Sequence, residues 1–240
     1  MSVMNGFREE LIKSLSGING DFIIYETNDQ EISKFQQAYP DAKIVKNYQQ
    51  RVITTNDRGI EGLLMKSMTI EDFYKIPRLN ENLFEIENVT ESWVFIGTEL
   101  ARSLDVKVGD SLQISIPGSS MTILGPVLNS HILIIKGIFN TGVYDYDKYF
   151  IYSNENYFKD ISDYPVFEVY EGKTKVDSKD LSPMIYDTWS DQNQSLAQAL
   201  ATEKNVMFII LFFIILISSF TIISNQIFFI KEKYKDIVLL

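Results

Sequence analysis

Hydrophobic and polar positions along the chain follow two regimes, and the change falls at Lys204. From Asn205 to Ile230 no residue is charged, and Ile, Leu, Phe and Val dominate. A helix rises about 1.5 Å per residue, so such a run exceeds the ~30 Å hydrocarbon core of a bilayer. A buried helix of a soluble domain is shorter and amphipathic. The pattern therefore predicts a membrane span over 205–230. Lys231, Lys233 and Lys235 follow it, whereas Glu203 and Lys204 cancel just before it. The positive-inside bias then predicts a cytoplasmic 231–240 and places residues 1–204 on the outer side.

Ahead of the span, helix-like and strand-like stretches alternate. Met4, Phe7, Leu11 and Leu15 recur at steps of three and four, which predicts a helix over Met1–Leu15 stopped by Gly17 to Gly20. Asp21–Tyr25 reads as a strand. Asp29 reads as the cap of a helix running to about Tyr39, with Pro40 as its stop. Lys43–Thr55 and Ile60–Met68 read as strands joined by a turn at Arg58-Gly59, giving the β-α-β-β opening of an α+β fold. Thr69–Ile76 reads as a short helix ended by Pro77, and an acidic loop then runs to about Ser92. A strand Trp93–Ile96, a helix Gly97–Leu104, a turn Val106–Asp110 and a strand Ser111–Ile116 come next. Pro117–Ser130 is an uncharged loop rich in Pro, Gly and Ser; with the strand His131–Phe139 it forms a long hairpin arm. Apolar Met121, Ile123 and Leu124 on that arm either touch a partner or fold back on their own domain. Asp145 and Asp147 alternate as on a strand, followed by a strand Tyr149–Tyr152 and a helix from about Asn154. Strands Val166–Tyr170 and Met184–Tyr186 close the region, and a polar helix Gln192–Glu203 runs into the span.

Charge and composition narrow the function. The 240 residues carry 22 basic and 32 acidic side chains, a net −10, and no cysteine. Phosphate neutralisation needs a basic face, so nucleic acid is excluded as a partner. A zinc ribbon, a disulfide framework and a cysteine nucleophile are excluded too. The single histidine, His131, has no second ligand at metal-binding spacing, and reads as a strand or surface residue. Asp110, Asp145 and Asp147 lack the Gly-turned loop and closing Glu of a calcium site. No G-x-S-x-G, H-E-x-x-H or P-loop is present. The chain carries no catalytic signature of its own, and no cofactor or metal is expected. An outer domain without a leader pattern at its start implies either an upstream span that this chain lacks or a start site inside a longer gene.

Val3-Met4-Asn5-Gly6-Phe7-Arg8-Glu9-Glu10-Leu11 is similar to the segment leaving the first membrane helix in the LolC/LolE-type permeases of the lipoprotein-releasing ABC transporter, and further stretches resemble that family in order. Gly97-Thr98-Glu99-Leu100-Ala101 with Val106-Lys107-Val108-Gly109-Asp110 resembles its G-x-x-L-A…V-x-x-G-D core. Gly137-Ile138-Phe139 followed by Gly142-Val143-Tyr144-Asp145-Tyr146-Asp147 resembles its G-x-F-x-x-G-x-Y-x-Y-D stretch. Trp189, Leu196-Ala197-Gln198-Ala199 and Glu203-Lys204-Asn205 resemble the approach to its second membrane helix. Ile223-Ser224-Asn225 and Lys231-Glu232-Lys233…Asp236-Ile237-Val238-Leu239-Leu240 resemble the end of that helix and the cytoplasmic segment after it.

The resemblance implies a multi-pass inner-membrane permease subunit with residues 1–204 periplasmic, working with a LolD-like ATPase that binds the ATP. A second permease subunit, like or unlike, would complete the membrane part. Residues 1–18 would be the end of the first membrane helix and its stalk; 19–68 with 161–190 a porter-like subdomain; 69–160 a sabre-like subdomain. Residues 191–204 would be a stalk helix, 205–230 the second membrane helix and 231–240 the start of the coupling segment. Lipoprotein would contact Met4, Phe7, Asn205, Met207 and Phe208, and Lys231, Lys233 and Lys235 would face the ATPase. The arm 117–130 would be the hook that grips the periplasmic carrier LolA, through Pro117, Met121, Ile123, Leu124, Gly125 and Pro126. The family hook reads T-P-x-G-x-x-P followed by basic residues. Here Thr122-Ile123-Leu124-Gly125-Pro126-Val127-Leu128 puts Ile123 and Leu128 where the prolines stand, and Ser130 and His131 where the basic residues stand. Grip by such an arm rests on apolar contact in place of stiffening prolines and arginine forks. Two alternatives stay open. A macrolide-export (MacB) or cell-division (FtsX) type permease shares the topology without the Y-x-Y-D stretch and hook. A single-pass membrane sensor would need an outer ligand pocket and no ATPase.

Overall fold

The computed structural model describes residues 6, 10, 12–13, 15, 17–56, 59–84, 86, 93–122, 125–157, 164–177, 179–181 and 184–238; side chains at 56, 117–129, 157 and 235–238 are outside the description. Contacts divide the chain into Met1–Gln192 and Asn193–Leu240.

Among the described residues the first unit is an α+β structure on a mixed sheet of ten strands. β1 (Phe22–Tyr25) lies between β10 (Ile185–Thr188) and β9 (Val166–Tyr170), and residues 43–47 of β2 (Lys43–Asn56) continue this antiparallel ribbon beyond β9. From Tyr48 onward β2 pairs instead with β3 (Gly59–Met68) on one side, and at Ile53 and Thr54 with β6 (Ser111–Thr122) on the other. β3 pairs with β8 (Phe150–Asn154), β8 with β5 (Val94–Gly97), β5 with β7 (Gly125–Phe139), and β7 with β6. The ladder thus returns to β2 and closes a barrel, with β3–β8 and β5–β7 parallel. The short β4 (Leu83–Phe84) pairs with the end of β7. Closure leaves the barrel strands no bare edge along their paired lengths.

Strand alternation fills the barrel. Val52, Leu63, Met65, Leu112, Ile114, Leu133, Ile135 and Ile151 form one buried cluster, joined by Leu100, Ala101 and Leu104 of α4 (Thr98–Leu104). Each buried Val, Leu, Ile or Met side chain contributes about 1.5–3 kcal/mol. A second, aromatic cluster packs α2 (Ile70–Lys75) and α3 (Pro77–Glu81) onto β5, β7 and β8, with the Phe73 and Phe95 ring centres 4.8 Å apart and Trp93 and Phe95 4.6 Å apart. The ribbon has its own helix, α1 (Asp29–Ala38), which lays Ile32 and Phe35 on Ile24, Phe167 and Val169.

Local differences from the sequence reading have local causes. The cap of α1 is Asn28, whose Oδ1 accepts from the Glu31 N–H at 2.9 Å, and Asp29 is the first helical residue. Pro77 does not only end α2 but starts α3, because the first helical position needs no N–H. Residues 17–19 are helical, and the left-handed turn that ends the helix is at Gly20, φ +77°. The acidic stretch after Pro77 includes β4, and residues 155–157 form one 3-10 turn in place of an α-helix. Pro117–Ser130 is not a loop: its backbone continues the hairpin, pairing Pro117 with Leu128, Met121 with Pro126 and Thr122 with Gly125, with a register shift between Pro117 and Met121. Tyr144–Tyr149 is a helix, α5, so Asp145 and Asp147 do not alternate across a strand. Residues 43–68, grouped in the sequence reading with the porter-like subdomain, divide between ribbon and barrel within β2 itself.

A short helix, α6 (Trp189–Gln192), ends the first unit. The second unit is one helix, α7 (Gln194–Val238), of 45 residues, exposed along nearly all of 201–234.

Candidate functional site

The arm of β6 and β7 extends from the barrel. At its base Ser115 Oγ and Ser130 Oγ lie 2.8 Å apart, and Thr54 Oγ1 donates to the Gln113 carbonyl at 2.9 Å, tying β6 to β2. Beyond that the ladder brings the backbones of Pro117, Met121, Gly125 and Pro126 together. Ile123 and Leu124, the expected tip anchors, lie outside the described residues. On the outer face near the base, Ile132 and Ile134 are 71% and 45% exposed, paired with the polar Gln113 and Ser111. The arm rises from a surface that exposes apolar side chains.

Two motifs singled out in the sequence meet beside the barrel. A Cβ on Gly97 would stand 2.2 Å from the Asp147 carbonyl oxygen, so only glycine lets β5 pass α5. Asp147 is buried and takes the Thr141 N–H at 2.7 Å, the Thr141 hydroxyl at 2.8 Å and the Gly142 N–H at 3.2 Å, holding the turn that Gly142 makes at φ +76°. Burial pushes its carboxyl above the ordinary range, against the pull of those donors. Asp110 accepts from the Lys107 N–H at 2.8 Å, closing the turn in which Gly109 has φ +94°. Each carboxylate fixes backbone. Among the described residues no group of three potential metal ligands forms.

A buried polar network joins the ribbon to the barrel. Lys66 of β3 and Glu168 of β9, 1% and 0% exposed at their side chains, form an ion pair at 2.7 Å. Lys66 Nζ also donates to Asn19 Oδ1 at 2.8 Å, and lies 5.4 Å from the centre of the Phe150 ring. Glu168 accepts from Tyr170 at 3.0 Å and from Gln49 at 3.4 Å. Asn19 Nδ2 donates to the Tyr146 hydroxyl at 2.8 Å and, at 3.5 Å, to Gln192 Oε1. Burial pushes the Tyr146 phenol up to about 12, and burial followed by the Glu168 charge raises Tyr170. The helical residues 17–19 and the end of α6 thus share one polar centre with the folded core. Sequence reasoning missed it, although a signal existed: Lys66 and Glu168 are lone charges of opposite sign inside apolar strands, LLMKSM and VFEVY.

On α7, Asn205 and Phe208 are exposed, Met207 is half-buried, and Lys231 and Lys233 are exposed; the Lys235 side chain lies outside the description. Met4 and Phe7 also lie outside the described residues. Residues 194–234 are long and apolar enough to cross a bilayer.

No family model matches the chain. The lipoprotein-releasing system transmembrane protein LolC of Neisseria meningitidis is 24% identical over an alignment of 269 positions, covering 100% of this chain and 63% of the relative. The chain is similar to LolC along its whole length. A LolC protein of Xylella fastidiosa is 27% identical over 164 positions, 61% of this chain and 38% of that one. An uncharacterised membrane protein of Buchnera aphidicola is 23% identical and again covers 100% of this chain and 63% of the relative. The chain therefore spans just under two thirds of the Neisseria LolC length. Among solved structures it is similar to the extracellular domain of the noncanonical ABC-type transporter YknZ from Gram-positive bacteria, at 12% identity and a TM-score of 0.38, covering 68% of this chain and 86% of that one. A domain of a putative permease from Porphyromonas gingivalis gives 13% identity and a TM-score of 0.36, with 62% and 64% covered. The run Asn205–Ile230 makes this chain, like LolC, a transmembrane protein.

Proposed function

We propose that this chain supplies the outer domain and one membrane helix of a permease subunit in an ABC transporter that removes lipoproteins from a bacterial inner membrane. The observation that carries this reading is the similarity to LolC along the full chain, which holds both a domain with a hairpin arm and a helix long and apolar enough to span a membrane. Residues 1–204 are periplasmic in this reading, and Lys231, Lys233 and Lys235 face a separate ATPase subunit, which binds the ATP. A second permease subunit completes the membrane part. Met4, Phe7, Asn205, Met207 and Phe208 contact the lipoprotein. Leaving the bilayer costs an acyl chain about 0.8 kcal/mol per methylene, so release needs both an ATP-driven step and an apolar acceptor. The acceptor is a periplasmic carrier of LolA type, taken up at the arm by Pro117, Met121, Ile123, Leu124, Gly125 and Pro126. Chemically, an uncharged arm rising next to exposed Ile132 and Ile134 suits an apolar carrier surface.

The test is Ile123→Asp with Leu124→Asp, assayed for capture of the purified carrier by the membrane-embedded protein. Capture falls to background while the melting temperature of the outer domain holds. Unchanged capture would overturn the arm as carrier site.

A further inference from the structure

A cleft of about 290 Å³ lies between the helical residues that open the first unit and α3. Glu10, Lys13 and Gly17 are helical and recur at steps of three and four, so they share a face that lines it. Arg78 and Glu81 of α3 line it too, with the buried Tyr170. Glycine is a poor helix former, and the structure does not demand it at 17. The φ of Gly17 is not positive, and a Cβ there would stand 3.5 Å from Arg78 Cβ, an ordinary contact. What glycine does at this position is leave the cleft unfilled.

The charges around the cleft fall into two groups. Asp21 Oδ2 accepts the Glu171 N–H and Glu171 Oε1 the Val176 N–H, both at 2.8 Å, so these carboxylates hold backbone. Arg78 Nε donates to the Thr141 carbonyl at 3.1 Å, which fixes the guanidinium and leaves its terminal N–H groups without a described partner. Glu10, Lys13 and Glu81 are exposed and have neither a hydrogen bond nor an ion pair among the described residues. Glu10 and Lys13 do not close the pair that a spacing of three allows, although Asp72 with Lys75 and Glu99 with Arg102 do. The cleft thus presents two cations and two carboxylates that do not satisfy one another.

We propose that this cleft binds a small zwitterion bearing a phosphate and a primary ammonium, with Lys13 and Arg78 on the phosphate and Glu10 and Glu81 on the ammonium. A simple anion would face the two carboxylates, and a simple cation would face Lys13 and Arg78. The acids do not gather into a metal site either, since no group of three potential ligands forms among the described residues. Phosphate takes the forked N–H groups of arginine and the point charge of lysine, and a primary ammonium offers three donors to carboxylates. The volume falls at the lower edge of the ~300–1,000 Å³ of small-molecule sites, so it admits a headgroup and not a lipid tail. Such headgroups line a bilayer surface. In the permease reading Phe7 contacts lipoprotein where the first membrane helix ends, and Glu10 lies three residues beyond it, a helical rise of about 4.5 Å. The inference rests on that reading for a lipid as the source; phosphoethanolamine free in solution carries the same chemistry.

Phosphoethanolamine is titrated calorimetrically into the detergent-solubilised chain, with phosphocholine as the control. Saturable binding is expected, with phosphocholine about tenfold weaker because a trimethylammonium donates no N–H bond. Lys13→Gln and Glu81→Gln each weaken phosphoethanolamine about tenfold at an unchanged melting temperature, both side chains being exposed. Gly17→Leu fills the cleft and abolishes binding. No saturation, equal affinity for phosphocholine, or indifference to Lys13→Gln and Glu81→Gln would each overturn the site. A second arm purifies the chain from vesicles of mixed phosphatidylethanolamine and phosphatidylcholine. Enrichment of phosphatidylethanolamine, lost in Lys13→Gln, supports the lipid as source; saturable binding without enrichment overturns the lipid and keeps the free zwitterion. Carrier capture is run on the same vesicles. Capture without either kind of binding refutes this site alone, and binding without capture refutes the carrier role alone.

Discussion

Replacing Lys66 by Met removes one member of a fully enclosed ion pair and leaves the other. Glu168 has no exposed side-chain surface, so its carboxylate cannot recover water. It keeps hydrogen bonds from Tyr170 at 3.0 Å and Gln49 at 3.4 Å, and both are neutral donors. Asn19 loses its only short Oδ1 donor among the described contacts. Breaking a buried pair from one side costs about 3–5 kcal/mol. For a domain of this size, that corresponds to a melting temperature lowered by roughly 6–20 °C. Trp93, 1% exposed in the aromatic cluster, reports the melt by fluorescence. The reasoning makes a sharper demand on the double variant. Adding Glu168→Gln to Lys66→Met removes the stranded charge while keeping the acceptor for Tyr170 and Gln49, so it recovers at least about 2 kcal/mol of the loss. A Lys66→Met protein within a few degrees of the parent, or a double variant no more stable than the single one, would refute the network as a sealed electrostatic centre.

Other predictions concern the motif segments. Gly97→Ala forces a methyl into the Asp147 carbonyl, so β5 and α5 must part; about 2–3 kcal/mol of stability is lost, and a melting temperature within a degree of the parent would contradict that packing. Asp147 gives a pH signature. Its carboxyl is raised by burial, so the native state holds a proton that the unfolded chain has released above about pH 3.9. Stability from this group therefore falls as pH rises from that value through the native one. Melting temperatures across that window should show Asp147→Asn gaining on the parent as pH rises, and a constant difference would count against it. Thr69→Ala, which strips the hydroxyl that accepts from the Asp72 N–H at 3.1 Å, lowers stability by about 1 kcal/mol through the lost cap of α2, read from the same melts.

Elements governed by local chemistry were legible in the sequence. β3, α4 and α7 fall where periodicity and caps put them, because neighbouring residues decide them. Barrel closure was not legible. It depends on Ile53 and Thr54 meeting Ser115 and Ile114 across about sixty positions of chain, and no local pattern records a pairing partner. Alternation misled at Asp145 and Asp147, where a spacing of two fits a strand, whereas Tyr144–Tyr149 is a helix whose Asp147 accepts from the Thr141 hydroxyl. The extent of the arm was hidden by Pro117, Gly118 and Pro126, which read as loop breakers yet sit in a two-stranded ladder bordering a register shift. Of the site residues, the apolar run and the lysines after it were plain. The Lys66–Glu168 centre was not, because a charge inside a strand discloses its partner only once β3 and β9 are both joined to β2.

The central claim is that the arm delivers lipoprotein to a carrier. A photo-reactive residue at Leu124, in the membrane-embedded permease with its ATPase, tests it most directly. The account predicts an adduct with the periplasmic carrier that grows when release is stalled. A folded domain that gives no carrier adduct in either state would contradict it, and would move the protein to a permease of another purpose.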